Sequence, residues 1–315
     1  MYIINSKNMN VSEKLKMIKR LSGFTQENMA KDLGVSFATL NSWINNKSKP
    51  HKSKTELIDK LLSKYTGIPV SESVGKDVMN KKDIIHKKAK KQKNMLNLIL
   101  DRTDLYDQLI LSLTYNTNRI EGSTLTEDET AAVIFRNETI NNKDLIEHLE
   151  AKNHQTAIKF LFDYLKTGKI NENLILKLHS LLMSGIREDA GRHRRHGVRI
   201  VGSNVPTANY LKISELMAAL VKEINKKQVD IIKHAAVIHS KFEQIHPFSD
   251  GNGRIGRLIL TAMLLLNNLP PAVIRIQEKR LYLNYLRKSQ LKNDFTSLED
   301  FICDAIFNGF KIIES

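Results

Sequence analysis

His246-Pro247-Phe248-Ser249-Asp250-Gly251-Asn252-Gly253-Arg254-Ile255-Gly256-Arg257 is the stretch on which the reading of this 315-residue chain turns. It follows a run with helical spacing, Ala235-Ala236-Val237-Ile238-His239-Ser240-Lys241-Phe242-Glu243-Gln244-Ile245, which Pro247 forbids from continuing. Gly251 and Gly253 admit backbone conformations closed to other residues, so main-chain N–H groups can approach an anion there. A helix beginning near Arg254 adds the positive end of its dipole beneath them. Arg254 and Arg257, three apart, project from one side of its first turn and suit separate phosphates. Asp250 offers a hard oxygen of the kind magnesium takes beside substrate phosphates. His246 is placed to act as a general base, and the apolar Phe248 plugs the loop into the core.

Outward from this loop the chain reads as helical. Only six Pro and 14 Gly occur, and apolar spacing of the helical kind runs from Met95 almost to Phe310. A 41% hydrophobic content supports a buried core, and the length admits one large domain with a smaller module. The single cysteine, Cys303, excludes an intrachain disulfide, fits a reducing compartment and reads as a small buried hydrophobe. Apolar runs such as Leu258–Leu266 fall short of a membrane span, and Met1–Ser12 lacks the core of a signal peptide, so a soluble cytoplasmic protein with no membrane partner is expected. No repeat is apparent, and the histidines, His193 and His196 among them, are too scattered for a metal site. His239, seven positions before His246, reads as structural.

One interruption stands out in the helical stretch. Between Gly191 and Asn209, Val198 and Ile200 alternate with charged residues before a turn at Gly202-Ser203-Asn204, which predicts a short β-hairpin.

The formal charge of +15 is unevenly placed: residues 1–100 carry 20 Lys/Arg against 8 Asp/Glu, and residues 101–315 carry 29 against 26. A basic N-terminal module suits a nucleic-acid backbone, and equally a solvated lysine-rich surface. Within it Thr25 can cap a helix with Met29, Ala30 and Leu33 on one face and Gly34 at its end; Ser36 then caps a second that buries Leu40 with Ile44 or Trp43. Two short helices joined by a tight turn form a helix-turn-helix. Boundaries follow: residues 1–65 for this bundle, 66–94 for a basic connector and 95–315 for the larger domain. The connector, with Lys87, Lys88, Lys90, Lys91 and Lys93, reads as a solvated linker or the exposed start of a helix.

Over about 55 residues the N-terminal module resembles the Cro and lambda-repressor-like family. The resemblance implies DNA as a partner, with Ser36, Phe37, Thr39, Asn41 and Ser42 at the DNA-facing surface and Gln26 and Lys47 near phosphates. Ser42 and Ile44 stand where Arg and Glu are common, which speaks against strong sequence readout. A helical bundle that contacts protein is the other reading of the same residues. Modules of this kind commonly work as homodimers.

Residues 246–257 match every defined position of the Fic motif, His-x-Phe-x-(Asp/Glu)-Gly-Asn-Gly-Arg-x-x-Arg, and the chain resembles that family. The resemblance implies an all-α fold with one β-hairpin flap, and transfer of a nucleoside monophosphate, most often AMP from ATP, to a Ser, Thr or Tyr hydroxyl of a protein. By it, His246 is the base, Asp250 the ligand of Mg2+, and Asn252 with the amides of Gly251 and Gly253 the anion hole. Arg254 and Arg257 hold the β- and γ-phosphates, with Ile255 and Gly256 between them in the nucleotide loop. Val201, Gly202, Ser203 and Asn204 line the nucleotide from the flap, whose edge receives the target. Gln290 and Tyr282 fall where the family places adenine contacts, although Tyr282 also suits core packing.

Upstream, Thr117-Asn118-Arg119-Ile120-Glu121-Gly122 resembles the (Ser/Thr)-x-x-x-Glu-(Gly/Asn) inhibitory helix of one Fic class, here around residues 114–122. It implies that Thr117 and Glu121 belong to an inhibitory element, with the Glu121 carboxylate pairing in bidentate fashion with Arg257 and removing the γ-phosphate clamp. The leading reading is an autoinhibited protein adenylyltransferase tethered to a DNA-binding module. A transcriptional regulator whose Fic domain senses nucleotide, and an enzyme removing AMP from modified proteins, are the alternatives; UMP or phosphocholine transfer also stays open.

Overall fold

The computed structural model describes residues 9–66, 73–166, 168–200 and 202–315. They group into two compact units, one of Met1–Asp77 with Arg280–Tyr285 and one of Val78–Lys279 with Leu286–Ser315. Every regular element among the described residues is helical. No helix among them is long and apolar enough to cross a membrane.

In the first unit, α1 (Val11–Ser22), α2 (Gln26–Leu33), α3 (Phe37–Ile44) and α4 (Lys52–Thr66) follow one another closely. Asn10 and Glu13 form a capping box at the start of α1, and the side chains of Thr25 and Ser36 cap α2 and α3 as their sequence positions require. Gly34 ends α2 in the left-handed region at φ 60°. Leu15, Ile18, Met29, Leu33, Leu40, Trp43, Ile58 and Leu62 make the core, each such side chain contributing roughly 1.5–3 kcal/mol on burial. Ile44 is buried along with Trp43, so α3 uses both.

The remaining helices are α5 (Ser73–Ala89), α6 (Met95–Asp101), α7 (Thr103–Glu121), α8 (Glu127–Ala131), α9 (Leu145–Tyr164), α10 (Glu172–Leu182), α11 (Ile213–Ile224), α12 (Ile231–Ile245), α13 (Asn252–Leu266), α14 (Lys279–Lys292) and α15 (Thr296–Ile313). In the second unit α13 is the central one. It lies against α12 and touches α6, α7, α9 and α10, and Ile255, Leu258, Ile259, Leu260, Met263 and Leu264 are all buried.

The expected β-hairpin is corrected. Among the described residues the 191–209 segment contains no strand. A turn does form, with Gly202 at φ 72° and the Ser203 N–H donating to Ile200 O at 3.1 Å, yet the arms are joined through side chains, the Thr207 hydroxyl donating to Val198 O at 2.7 Å and Arg194 Nη2 to Ala208 O at 2.7 Å. The backbone groups go to the neighbouring chain instead, Arg194 N–H to Pro247 O at 2.9 Å and Ala208 N–H to Gln244 O at 3.3 Å. An isolated two-stranded ribbon is marginal, and these partners outcompete it. Of the two readings of the basic connector, a solvated linker or the start of a helix, the helix is the one seen, since α5 occupies most of it. Val78, Ile85 and Ala89 recur on one face of α5 and are buried. Lys81 pairs with Asp300 at 2.6 Å and Asp304 at 2.7 Å, and Lys82 with Asp230 at 2.5 Å and with Glu299.

Candidate active site

His246 closes α12 with φ 52°, a left-handed conformation that turns the chain sharply into the loop. Its Nδ1 lies 3.1 Å from the Glu243 carbonyl oxygen. A carbonyl can only accept, so Nδ1 carries the hydrogen and Nε2 keeps its lone pair. Burial lowers the pKa of the ring, so at neutral pH the imidazole is a free base.

Phe248 is fully buried and stacks on His179, with ring centroids 3.7 Å apart and planes at 5°. His179 accepts the Gly191 N–H at Nδ1, at 2.8 Å, and therefore donates from Nε2 to Asp250 O, at 3.1 Å. Burial pushes this imidazole down to about 4, which keeps it neutral in that tautomer. Asn252 clamps the loop from inside: its side chain accepts Phe248 N–H at 2.9 Å and donates to Phe248 O at 2.9 Å. Gly251 caps α13 at φ 75°, where an added Cβ would also crowd Met183 Sδ at 3.0 Å.

The first turn of α13 leaves its N–H groups without helical partners. Over it sits a carboxylate from α7. Arg257 donates from Nη2 to Glu121 Oε1 at 2.5 Å and from Nε to Thr117 Oγ1 at 2.6 Å. The Arg257 guanidinium is thus shared between a carboxylate and a hydroxyl, because Thr117 stands one turn before Glu121 on the same face of α7. Gly253 makes the approach possible, since a Cβ there would lie 2.5 Å from Glu121 Oε1. Burial raises the Glu121 pKa, but the charges of Arg257, Arg254 and Lys279 and the hydrogen bond from Arg257 outweigh it and hold the group ionised, below the usual carboxylate range.

The Fic/DOC family model matches residues 169–264 and the helix-turn-helix model residues 15–72. The chain carries a Fic domain. Among similar curated proteins, the protein adenylyltransferase Fic of Nematostella vectensis is 33% identical over 181 residues, 56% of this chain and 42% of that protein. That of Aedes aegypti is 30% identical over 196 residues, 61% of this chain and 39% of that one. The matches thus span less than half the length of these relatives. A Fic domain containing signaling protein from Bacteroides thetaiotaomicron shares the fold at TM-score 0.63 and 23% identity, over 74% of this chain and 98% of that one. A fragment of Fic-1 from C. elegans does so at TM-score 0.65 and 20% identity, over 97% and 88%.

Within the Fic domain, the sequence-derived site residues separate into groups. His246, Asp250, Gly251, Gly253 and Arg257 surround the α13 N-terminus, with Thr117 and Glu121 reaching it from α7. Arg254 is only 2% exposed and donates to Glu150 Oε1 on α9 at 2.7 Å, while its Nη2 lies 3.9 Å from Asp250 Oδ1. The Asn252 side chain holds both backbone groups of Phe248, and its backbone N–H stays at the helix start. Ile255 is wholly buried in the core rather than in the nucleotide loop. Gly256 faces α12, where a Cβ would meet Glu243 Oε1 at 2.4 Å, so its role is close helix packing. Gly202 and Asn204 are exposed and Ser203 partly so, while Val201 lies outside the described residues. Gln290 donates to Ser240 O at 3.3 Å, and Tyr282, 1% exposed, is the core residue its helical spacing allowed. In the first unit Ser36, Phe37 and Lys47 are exposed, and Gln26, Thr39, Asn41 and Ser42 partly exposed. His239 is buried, with its pKa depressed by burial to about 3, a structural group. Glu150, His179, Arg194 and Glu243 were not singled out in the sequence, since their partners lie on other elements.

Proposed function

We propose that this chain is a protein adenylyltransferase whose Fic site is held off by α7. In the active state His246 Nε2 takes the proton of a Ser, Thr or Tyr hydroxyl on a target protein, the oxygen attacks the α-phosphorus of ATP, and pyrophosphate leaves. The neutral imidazole with its lone pair on Nε2 supports this role. The amides of Gly251, Asn252 and Gly253 and the α13 dipole would cradle the phosphates, with Arg254 and Arg257 on their outer oxygens. Ser203 and Asn204 would border the nucleotide from the 191–209 loop. Asp250 is a half-exposed carboxylate at the loop edge, a single hard donor of the kind magnesium takes when phosphate and water complete its shell; bound there, the ion supplies neutralisation of phosphate charge. The helix-turn-helix unit would bring this activity to DNA.

The observation that carries the reading is the Thr117 and Glu121 grip on Arg257. It spends the guanidinium meant for the terminal phosphate and places a negative charge over the α13 N-terminus, so ATP cannot settle productively. Glu121→Gly is expected to raise incorporation from labelled ATP with magnesium at least about tenfold, roughly 1.4 kcal/mol. His246→Ala added to it should return labelling to background. Equal labelling by wild type and Glu121→Gly sinks the inhibition.

A further inference from the structure

We propose that the loop at residues 192–199 selects acidic protein segments as acceptors for this site, reading carboxylates that flank the target hydroxyl. The proposal rests on the transferase reading above and names its substrate class.

The first observation is where the charge lies. Residues 192–199 read Arg192-His193-Arg194-Arg195-His196-Gly197-Val198-Arg199, with no acidic residue among them. Residues 101–315 hold 29 Lys/Arg against 26 Asp/Glu, and without the four arginines of this loop they hold 25. Four cationic side chains with no acidic neighbour are thus concentrated in one eight-residue loop of a nearly neutral region.

The second is how the loop is anchored. Arg194 is 2% exposed and donates from Nε to His246 O at 2.7 Å, from Nη1 to His196 O at 2.6 Å and from Nη2 to Ala208 O at 2.7 Å. Its own N–H donates to Pro247 O at 2.9 Å. One buried guanidinium thus ties the loop to the backbone of the base. The chain on either side of Arg194 is thereby tied to the segment that carries His246.

The third is what those neighbours do. Arg192, Arg195, His196 and Arg199 are exposed, and no ion pair is formed by any of the three arginines among the described residues. Other arginines around the site are paired: Arg187 with Asp189 at 2.7 Å, Arg254 with Glu150 at 2.7 Å, and Arg257 with Glu121. Guanidinium groups held on a rigid loop match carboxylates in geometry and charge. The phosphates have their own donors on α13, which leaves the loop for the other substrate. That substrate carries the hydroxyl His246 must deprotonate, so the charge complement falls on the protein segment around it.

The test uses full-length Glu121→Gly with labelled ATP, magnesium and peptides carrying one Tyr, Thr or Ser flanked by Glu, Gln or Lys. Glu-flanked peptides are expected to be labelled about tenfold better in kcat/KM than Gln-flanked ones, with Lys-flanked ones worst. The advantage should shrink as salt rises. Arg192→Glu, Arg195→Glu and Arg199→Glu together should invert the order while leaving the Kd for a fluorescent ATP analogue unchanged. Labelling indifferent to flank charge overturns the inference and leaves the transferase standing, as does self-labelling with all peptides ignored. Loss of ATP-analogue binding in the triple variant assigns the loop to nucleotide and overturns it too. So does duplex DNA that competes with Glu-flanked peptides only when the three arginines are present. Failure of Glu121→Gly to label any peptide or itself overturns both readings.

Discussion

Behind His246, a second carboxyl faces the site from α12 and takes no part in the proposed chemistry. Glu243 is 6% exposed, its Oε1 has no hydrogen-bond partner among the described residues, and it lies against Gly256 close to Arg257 and Glu121. Burial pushes its pKa up to about 8; the Arg257 charge opposes this and the Glu121 charge adds to it. The folded state then holds a proton that the unfolded state gives up near pH 4.5, so stability is full below that value and is lost as pH rises toward 8. Glu243→Gln cannot titrate. Thermal unfolding should therefore show a Tm that falls by several degrees between about pH 5 and 8 in wild type and much less in the variant; equal slopes would count against a protonated Glu243. Residue types and spacing were enough to single out His246, Asp250 and Arg257, and resemblance to a short inhibitory motif added Glu121. They could not show that Asn252 turns inward or that Arg254 meets Glu150, because those contacts join positions 4 and 104 apart through the folded core.

Among elements, the contact between α7 and the first turn of α13 is the one on which the proposed inhibition turns. It depends on a missing side chain, since a methyl at Gly253 would stand 2.5 Å from Glu121 Oε1. The obstructing atom is the end of a flexible side chain, which can swing away at low cost. Gly253→Ala should accordingly raise self-labelling above wild type by a few-fold, less than Glu121→Gly, while a double variant with His246→Ala stays dark. Unchanged labelling with an intact fold would show that the carboxylate is held elsewhere. Thr117→Val tests the second bond: losing a hydrogen bond to a charged group costs about 1.5–3 kcal/mol, so inhibition should loosen without vanishing. At this scale the caps of α2, α3 and α7 were legible from Thr25, Ser36, Gly34 and Gly122, each a local event. The 191–209 segment was not. Its alternation satisfies a strand pattern, but strands need a partner edge, and here carbonyls at the end of α12 and in the loop after it accept the segment's N–H groups.

For the molecule as a whole, the charge divides between a basic first hundred residues and a nearly neutral remainder. Polar Ser36, Thr39, Asn41 and Ser42 on and beside α3 offer few charges for base edges, so DNA binding should be mainly to phosphate. Gel shift of the full chain on an arbitrary duplex is expected to weaken by a factor on the order of 10³ between 50 and 200 mM salt, with little preference among sequences. A salt-independent or strictly sequence-selective shift would contradict this, and no shift at low salt would assign the unit to a protein partner. Cys303, buried with its thiol pushed up to about 12, should stay unreactive to thiol reagents until the protein unfolds. By itself the sequence determined the helical class, the helix-turn-helix, the phosphate loop and the candidate inhibitory residues, because periodicity, capping and short motifs act over a few positions along the chain. Only the tertiary structure decided that Thr117 shares Arg257 with Glu121, that Arg194 ties a basic loop to His246, and that α5 is pinned by acidic residues more than 140 positions away. Those pairings cost nothing to write in any order along the chain and acquire energy only when burial removes water from both partners.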